Sequence, residues 1–123
     1  MCLAYDVASL NQHLFMTAKQ YCLQLYTDYY DELDSIIIDE RYGTYLATKY
    51  LLECGHRRIL VLNVSVDGKD VRDDGYMQAY QEMNLVPDPG FIIHYSCNRN
   101  YIKSIEENIL ALKPTAIISH AET

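Results

Sequence analysis

A chain of 123 residues, half of them hydrophobic, can bury one sizeable core, which suits a compact soluble domain. A formal net charge of −7 and an isoelectric point near 4.9 work against contact with phosphate backbones, and His56–Arg58 is the one dense basic cluster. The four cysteines (Cys2, Cys22, Cys54 and Cys97) form no CxxC pair and have no zinc-like spacing, so reduced thiols and no metal are expected.

The N-terminus lacks a basic segment followed by an apolar stretch and a cleavage site, and no apolar run approaches a membrane span. A soluble cytoplasmic protein without membrane contact is therefore expected. In chain order, a weak helical pattern covers residues 8–19, and YCLQLY (21–26) reads as a strand. SIIIDE (35–40), a β-branched run ending in acids, predicts a buried strand. Gly43, Leu46, Ala47, Tyr50, Leu51 and Cys54 then follow helical spacing and predict one buried face. Gly55 stands where a left-handed residue closes a helix.

ILVLN (59–63) reads as a strand buried on both faces. The polar loop VSVDGKD (64–70) leads to a second helical face made of Arg72, Gly75, Tyr76, Ala79, Tyr80 and Met83. Pro87, Pro89 and Gly90 break the chain before the strand FIIHY (91–95). Ile102, Ile105, Ile109 and Leu112 define a third helix, closed by Lys113–Pro114, and AIIS (116–119) is a final strand. Residues 59–119 thus read β-α-β-α-β, the arrangement of a parallel sheet with right-handed crossovers. His56, Arg57 and Arg58 follow a helix C-terminus, where the macrodipole favours positive charge by about 0.3–1 kcal/mol each. That placement explains the cluster without DNA. His56 reads as a structural residue, and the two arginines as solvated or dimer-rim cations.

Four stretches together resemble the sensor domain of the LacI/GalR family of bacterial regulators. They are GHRRI (55–59) after the helix GTYLATKYLLEC (43–54), RDDGYMQAY (72–80), PTAIISHAE (114–122) and TDYYDELDSIIID (27–39). The resemblance covers roughly residues 20–123. It implies an α/β, three-layer α/β/α, periplasmic-binding-protein-like fold with a parallel sheet, in which two lobes enclose a small effector. It also implies a homo-oligomer that reaches DNA only through a domain missing from this chain. Joined helix-turn-helix and GntR-type winged-helix domains, as in hybrid regulators, both remain open. A complete sensor is about twice this long, so the chain is expected to be a partial two-lobe fragment. Residues 1–54 would be the C-terminal part of the first lobe, and residues 55–123 the first half of the second.

Ligands of open parallel sheets bind beyond the carboxyl ends of the strands. Here those ends are Asp39–Tyr42, the loop 64–72, Ser96–Arg99 and Ser119–Thr123. Sugar recognition uses planar multidentate hydrogen-bonding groups and an aromatic face, so a sugar is favoured over a nucleobase. Arg72 matches the family's effector-binding arginine. A cation is poorly placed at a helix N-terminus on dipole grounds, so a carboxylate or a ligand should accompany it. The alternative is a surface arginine paired with Asp70, Asp73 or Asp74. Glu122 stands at the family's cleft aspartate, or is a terminal residue without a role. Glu40 and Tyr42 follow a strand and would face the cleft, Tyr42 alternatively acting as a staple of its helix. Asn63 and Tyr29 complete the candidates, while Asp39 reads as an N-cap.

The family usually has Asp-Arg where Asp28–Tyr29 stand, Asp-Asn where Asp39–Glu40 stand, and Asn-Asp where Ala121–Glu122 stand. A transport-type sugar-binding protein of the same fold is the rival reading. An enzyme is not expected, because the chain has no GxGxxG after a strand, no P-loop and no GxSxG elbow. No cofactor or catalytic residue is assigned. The acids of VDGKDVRDDG miss the EF-hand pattern.

Overall fold

The structure is a computed structural model that describes residues 2–4, 22–26, 31, 33–64, 68, 70–95 and 99–120. It divides into two compact units, Met1–Asp39 and Glu40–Thr123. The first unit carries a parallel three-stranded sheet of β1 (Cys2–Ala4), β2 (Cys22–Leu25) and β3 (Asp34–Ile36), in that order. Leu23 pairs with Asp34 and Leu25 with Ile36, and the Tyr26 amide extends the ladder to the Ile36 carbonyl at 2.8 Å. The helical pattern expected over residues 8–19 lies outside the described residues.

The strand expected to be buried at 35–40 is shorter and more exposed. β3 ends at Ile36, and Ile36, Ile37 and Ile38 are 57 %, 60 % and 62 % exposed. β-branched residues favour an extended backbone, but burial requires a covering neighbour. β3 is an edge strand paired only with β2 among the described residues.

The second unit runs α1 (Glu40–Glu53), β4 (Ile59–Val64), α2 (Val71–Glu82), β5 (Ile92–Tyr95), α3 (Arg99–Leu112) and β6 (Ala116–Ser119). Its sheet is parallel, in the order β5-β4-β6, with Val61 opposite Ile92 and Ile59 opposite Ala116. The chain moves one way from β4 to β5 and the other way from β5 to β6. Two right-handed crossovers therefore put α2 and α3 on opposite faces, which makes three layers. Ile59, Leu60 and Val61 are fully buried, as expected of a strand covered on both faces.

The core joins Tyr45, Leu52, Ile59, Val61, Tyr76, Ala79 and Tyr80. Tyr76 and Tyr80 lie 4.8 Å apart between ring centroids, and their hydroxyls donate to the carbonyls of Ile59 (2.9 Å) and Arg57 (2.8 Å). Both aromatic bodies are thus buried with their polar ends satisfied. Gly75 lies where α1 and α2 touch: a Cβ there would stand 2.0 Å from the Arg41 carbonyl oxygen and 2.9 Å from the Tyr45 nitrogen. Only glycine permits that approach.

α1 buries a different face from the one its apolar spacing predicts. Thr44, Tyr45, Thr48 and Leu52 face inward, whereas Leu46 and Tyr50 are exposed and Ala47 and Leu51 are half-buried. The two threonines can be buried because each hydroxyl donates to a carbonyl one turn back, Thr44 to Glu40 at 3.0 Å and Thr48 to Thr44 at 2.8 Å. This packing of α1 against α2 also explains why the compact units divide after Asp39 rather than after residue 54.

Candidate functional site

The beginning of the second sheet disposes of the basic cluster. Gly55 closes α1 at φ +93°. Arg57 Nη1 donates to the carbonyls of Leu52 (2.9 Å) and His56 (2.8 Å). Arg58 donates to the carbonyls of Leu112 and Lys113 at the end of α3, meets Asp88 at 3.5 Å and lies 5.1 Å over the Phe91 ring. His56 Nδ1 is 3.0 Å from Thr115 Oγ1. Both arginines are exposed, as expected of solvated cations, and each also donates to carbonyls at a helix C-terminus, where orphan acceptors need donors.

The opposite end of the same sheet gathers polar side chains from α1, β4, α2 and β5, from the loop before α2 and from the residue after β6. Asp70 caps α2, its carboxylate accepting from the Arg72 amide at 2.9 Å. The same carboxylate accepts from Arg72 Nη1 at 2.7 Å, and Glu40, the first residue of α1, accepts from Arg72 Nη2. Arg72 is thus clamped between two acids with its side chain 15 % exposed. The carboxylates offset an otherwise unfavourable cation at a helix N-terminus.

Beside this clamp, Asn63 near the end of β4 is fully buried, and its Nδ2 donates to Asp73 Oδ1 at 2.5 Å. The other Asp73 oxygen is 2.7 Å from Nε2 of His94, which pairs with Asn63 across the β4–β5 register. His120 follows β6, its amide donating to the Leu62 carbonyl at 3.1 Å, and its Nε2 is 3.2 Å from Thr44 Oγ1. Burial, and then the nearby Arg72 charge, hold the His120 pKa below the usual imidazole range. Asp70, Val71, Asp73 and Asp74 line an open depression at this edge. Two buried polar atoms have no hydrogen-bond partner among the described residues: the acceptor Asn63 Oδ1 and the donor Arg72 Nε. Native proteins leave few such atoms, and at the ligand edge of an open sheet they are what a ligand would satisfy.

Of the residues expected at a cleft, the structure brings Arg72, Glu40 and Asn63 to one edge. Tyr42 instead stacks on Tyr45 at 5.7 Å between centroids, on the exposed side of α1. Glu122 and Tyr29 lie outside the described residues. Arg72 pairs with Asp70, one of the three aspartates weighed for it, and with Glu40. The sequence reading did not single out His94 or His120. The available signal was a polar residue at or just past the end of an apolar strand, the position that drew attention to Asn63. Among the described residues no cluster of three or more His, Cys, Asp or Glu side chains could hold a metal ion, and no helix is long and apolar enough to cross a membrane.

No protein-family model matches the chain. Curated relatives do. It is 32 % identical over 96 residues to the HTH-type transcriptional repressor PurR of Vibrio atlanticus, covering 75 % of this chain and 29 % of that protein. It is 29 % identical over 103 residues to the arabinose metabolism transcriptional repressor of Halalkalibacterium halodurans, covering 80 % and 27 %. The chain therefore spans less than a third of the length of these relatives.

Among solved structures, a regulatory protein of the LacI family from Chloroflexus aggregans superposes with a TM-score of 0.62 at 26 % identity, covering 90 % of this chain and 44 % of that one. A LacI family transcriptional regulator from Lactobacillus casei with bound sucrose gives 0.64 at 15 % identity, covering 89 % and 44 %. The expected periplasmic-binding-protein-like α/β architecture is the one these structures share with it. The chain belongs to the LacI/GalR family of transcriptional regulators, as a partial effector-binding domain.

Proposed function

We propose that this chain is part of the effector-sensing domain of a bacterial transcriptional regulator, and that the carboxyl edge of the β5-β4-β6 sheet contacts a small-molecule effector. Arg72, Glu40 and Asn63 are the proposed contacts within the described residues, with Tyr42, Tyr29 and Glu122 as further candidates. The observation that carries the reading is the unpartnered pair, Arg72 Nε and Asn63 Oδ1, buried at the edge where such sheets bind ligands.

A sugar is the proposed effector class. Arg72 and the surrounding carboxylates suit multidentate contact with hydroxyl groups. One relative is named for arabinose metabolism, and one structural neighbour holds sucrose. Operator contact is assigned to a separate DNA-binding domain, and the working state to a homo-oligomer. The packing of α1 against α2 supports a lobe boundary after Asp39 in place of the one expected after residue 54. The relatives named as repressors favour a regulator over a transport protein of the same fold.

Calorimetric titration of the chain with pentoses, hexoses, disaccharides and nucleobases tests this reading, with Arg72→Ala as control. A sugar that binds the wild type and loses affinity in the variant supports it. Binding that Arg72→Ala leaves unchanged, or no binding by any compound, sinks it.

A further inference from the structure

We infer that the ligand of this edge is an uncharged polyhydroxylated molecule, and that Glu40 is the residue that turns phosphorylated analogues away. The inference rests on the sensor reading above and adds the charge class that it leaves open.

It begins with what Arg72 has left to offer. A phosphate is best held by the parallel donors of a guanidinium fork. Here Nη1 is bonded to Asp70 and Nη2 to Glu40, so the fork is occupied by the protein's own anions. Of its three nitrogens, only Nε is buried without a partner. The unpartnered acceptor nearby is Oδ1 of Asn63, an amide whose nitrogen is already held by Asp73. The edge therefore presents one buried donor atom and one buried acceptor atom without a partner. Hydroxyl groups both donate and accept, so a polyol satisfies both kinds of site. A phosphate near neutral pH carries about −1.5 to −2 charge and chiefly accepts, which leaves Asn63 Oδ1 facing a second acceptor.

The local charge points the same way. Glu40, Asp70 and Asp73 supply three carboxylates, against Arg72 and, when protonated, His94. Carboxylates outnumber cations even with His94 charged, and burial together with the nearby Arg72 charge disfavours a positive charge on His120. An anionic ligand would have to displace Glu40 from Arg72 and would still face Asp70 and Asp73. Glu40 is half-exposed and starts α1, whereas Asp70 is nearly buried and caps α2. Glu40 is therefore the acid whose charge can be removed with the least disturbance to the fold.

The test is calorimetric titration of the full chain and of Glu40→Gln with three sugars (arabinose, glucose, sucrose) and their esters (arabinose 5-phosphate, glucose 6-phosphate, sucrose 6-phosphate). Thermal melts check that both proteins are folded. The expected result is a neutral sugar bound at least about tenfold more tightly than its ester by the wild type, with the ratio narrowing about threefold or more in the variant. An ester that binds the wild type as tightly as the free sugar, or more tightly, overturns the charge class and leaves the sensor reading standing. A wild-type preference for neutral sugar that Glu40→Gln does not change overturns the role of Glu40. Binding of no sugar and no ester overturns this inference together with the sugar-sensor reading on which it rests.

Discussion

The two ends of the β5-β4-β6 sheet are built from similar side chains put to different use. Where the strands begin, Arg57 and Arg58 donate chiefly to backbone carbonyls at the ends of α1 and α3, and Tyr80 donates to Arg57's own carbonyl. Among the described residues no buried polar side-chain atom at that end lacks a partner. Where the strands finish, Arg72 meets carboxylates, His94 meets Asp73, and two buried atoms are left unmet. Arginine and histidine alone do not distinguish a joint from a site. Saturation does: a structural cation ends on the carbonyls it caps, and a recognition edge keeps capacity in reserve.

The largest expected effect separates the two ends mechanically. Gly75→Ala places a methyl group against the Arg41 carbonyl and forces α1 away from α2. The cost should reach the upper end of about 1–3 kcal/mol, read as a lowered denaturant midpoint. Because α1 carries Glu40 and α2 carries Arg72, ligand affinity should fall too, while the cap made by Arg58 stays in place. Next comes Arg72→Ala, which should weaken ligand binding by about 10–100-fold in titration, the worth of hydrogen bonds to a charged group. Its mirror is Arg58→Ala. Losing the α3 carbonyl cap should cost about 1–2 kcal/mol of stability and leave affinity unchanged, because the half-exposed pair with Asp88 contributes little. A binding defect in Arg58→Ala would blur the distinction between the ends.

The smallest effect is a pH dependence. The folded protein holds the His120 pKa below the unfolded value, so the unfolded chain takes up a proton first as pH falls. Stability from this group is complete above about 6.5 and is lost progressively below it, toward the folded pKa. His120→Gln should flatten that acid limb in melts recorded between pH 7 and 5. Tyr76, whose pKa burial pushes far above the phenol range, acts at the other extreme: its contribution is lost only above about pH 10.

What could be read from the residues, and what could not, follows from how polar groups were hidden. The face of α2 was legible because Gly75, Tyr76, Ala79 and Tyr80 are small or aromatic and fall at helical spacing. The face of α1 was not, because Thr44 and Thr48 count as polar in any periodicity yet are buried by bonding to their own helix. The three strands of the second sheet fell where their apolar runs stand, whereas SIIIDE misled because composition does not show whether a strand has a cover. Arg72 emerged from its place at a helix start and from the family resemblance, and Glu40 from its place after a strand. Their direct pairing did not, since residues 32 apart meet only through the close approach at Gly75.

The contact between Thr44 and His120 bears on more than packing. A threonine hydroxyl has one proton, and that of Thr44 goes to the Glu40 carbonyl at 3.0 Å. While that bond is made, the same oxygen, 3.2 Å from His120 Nε2, accepts, which favours the imidazole tautomer with its hydrogen on Nε2. The tautomer of His120 is thereby biased from within α1, and in it Nδ1 is the nitrogen with a lone pair. A hydroxyl group approaching this ring would donate to Nδ1.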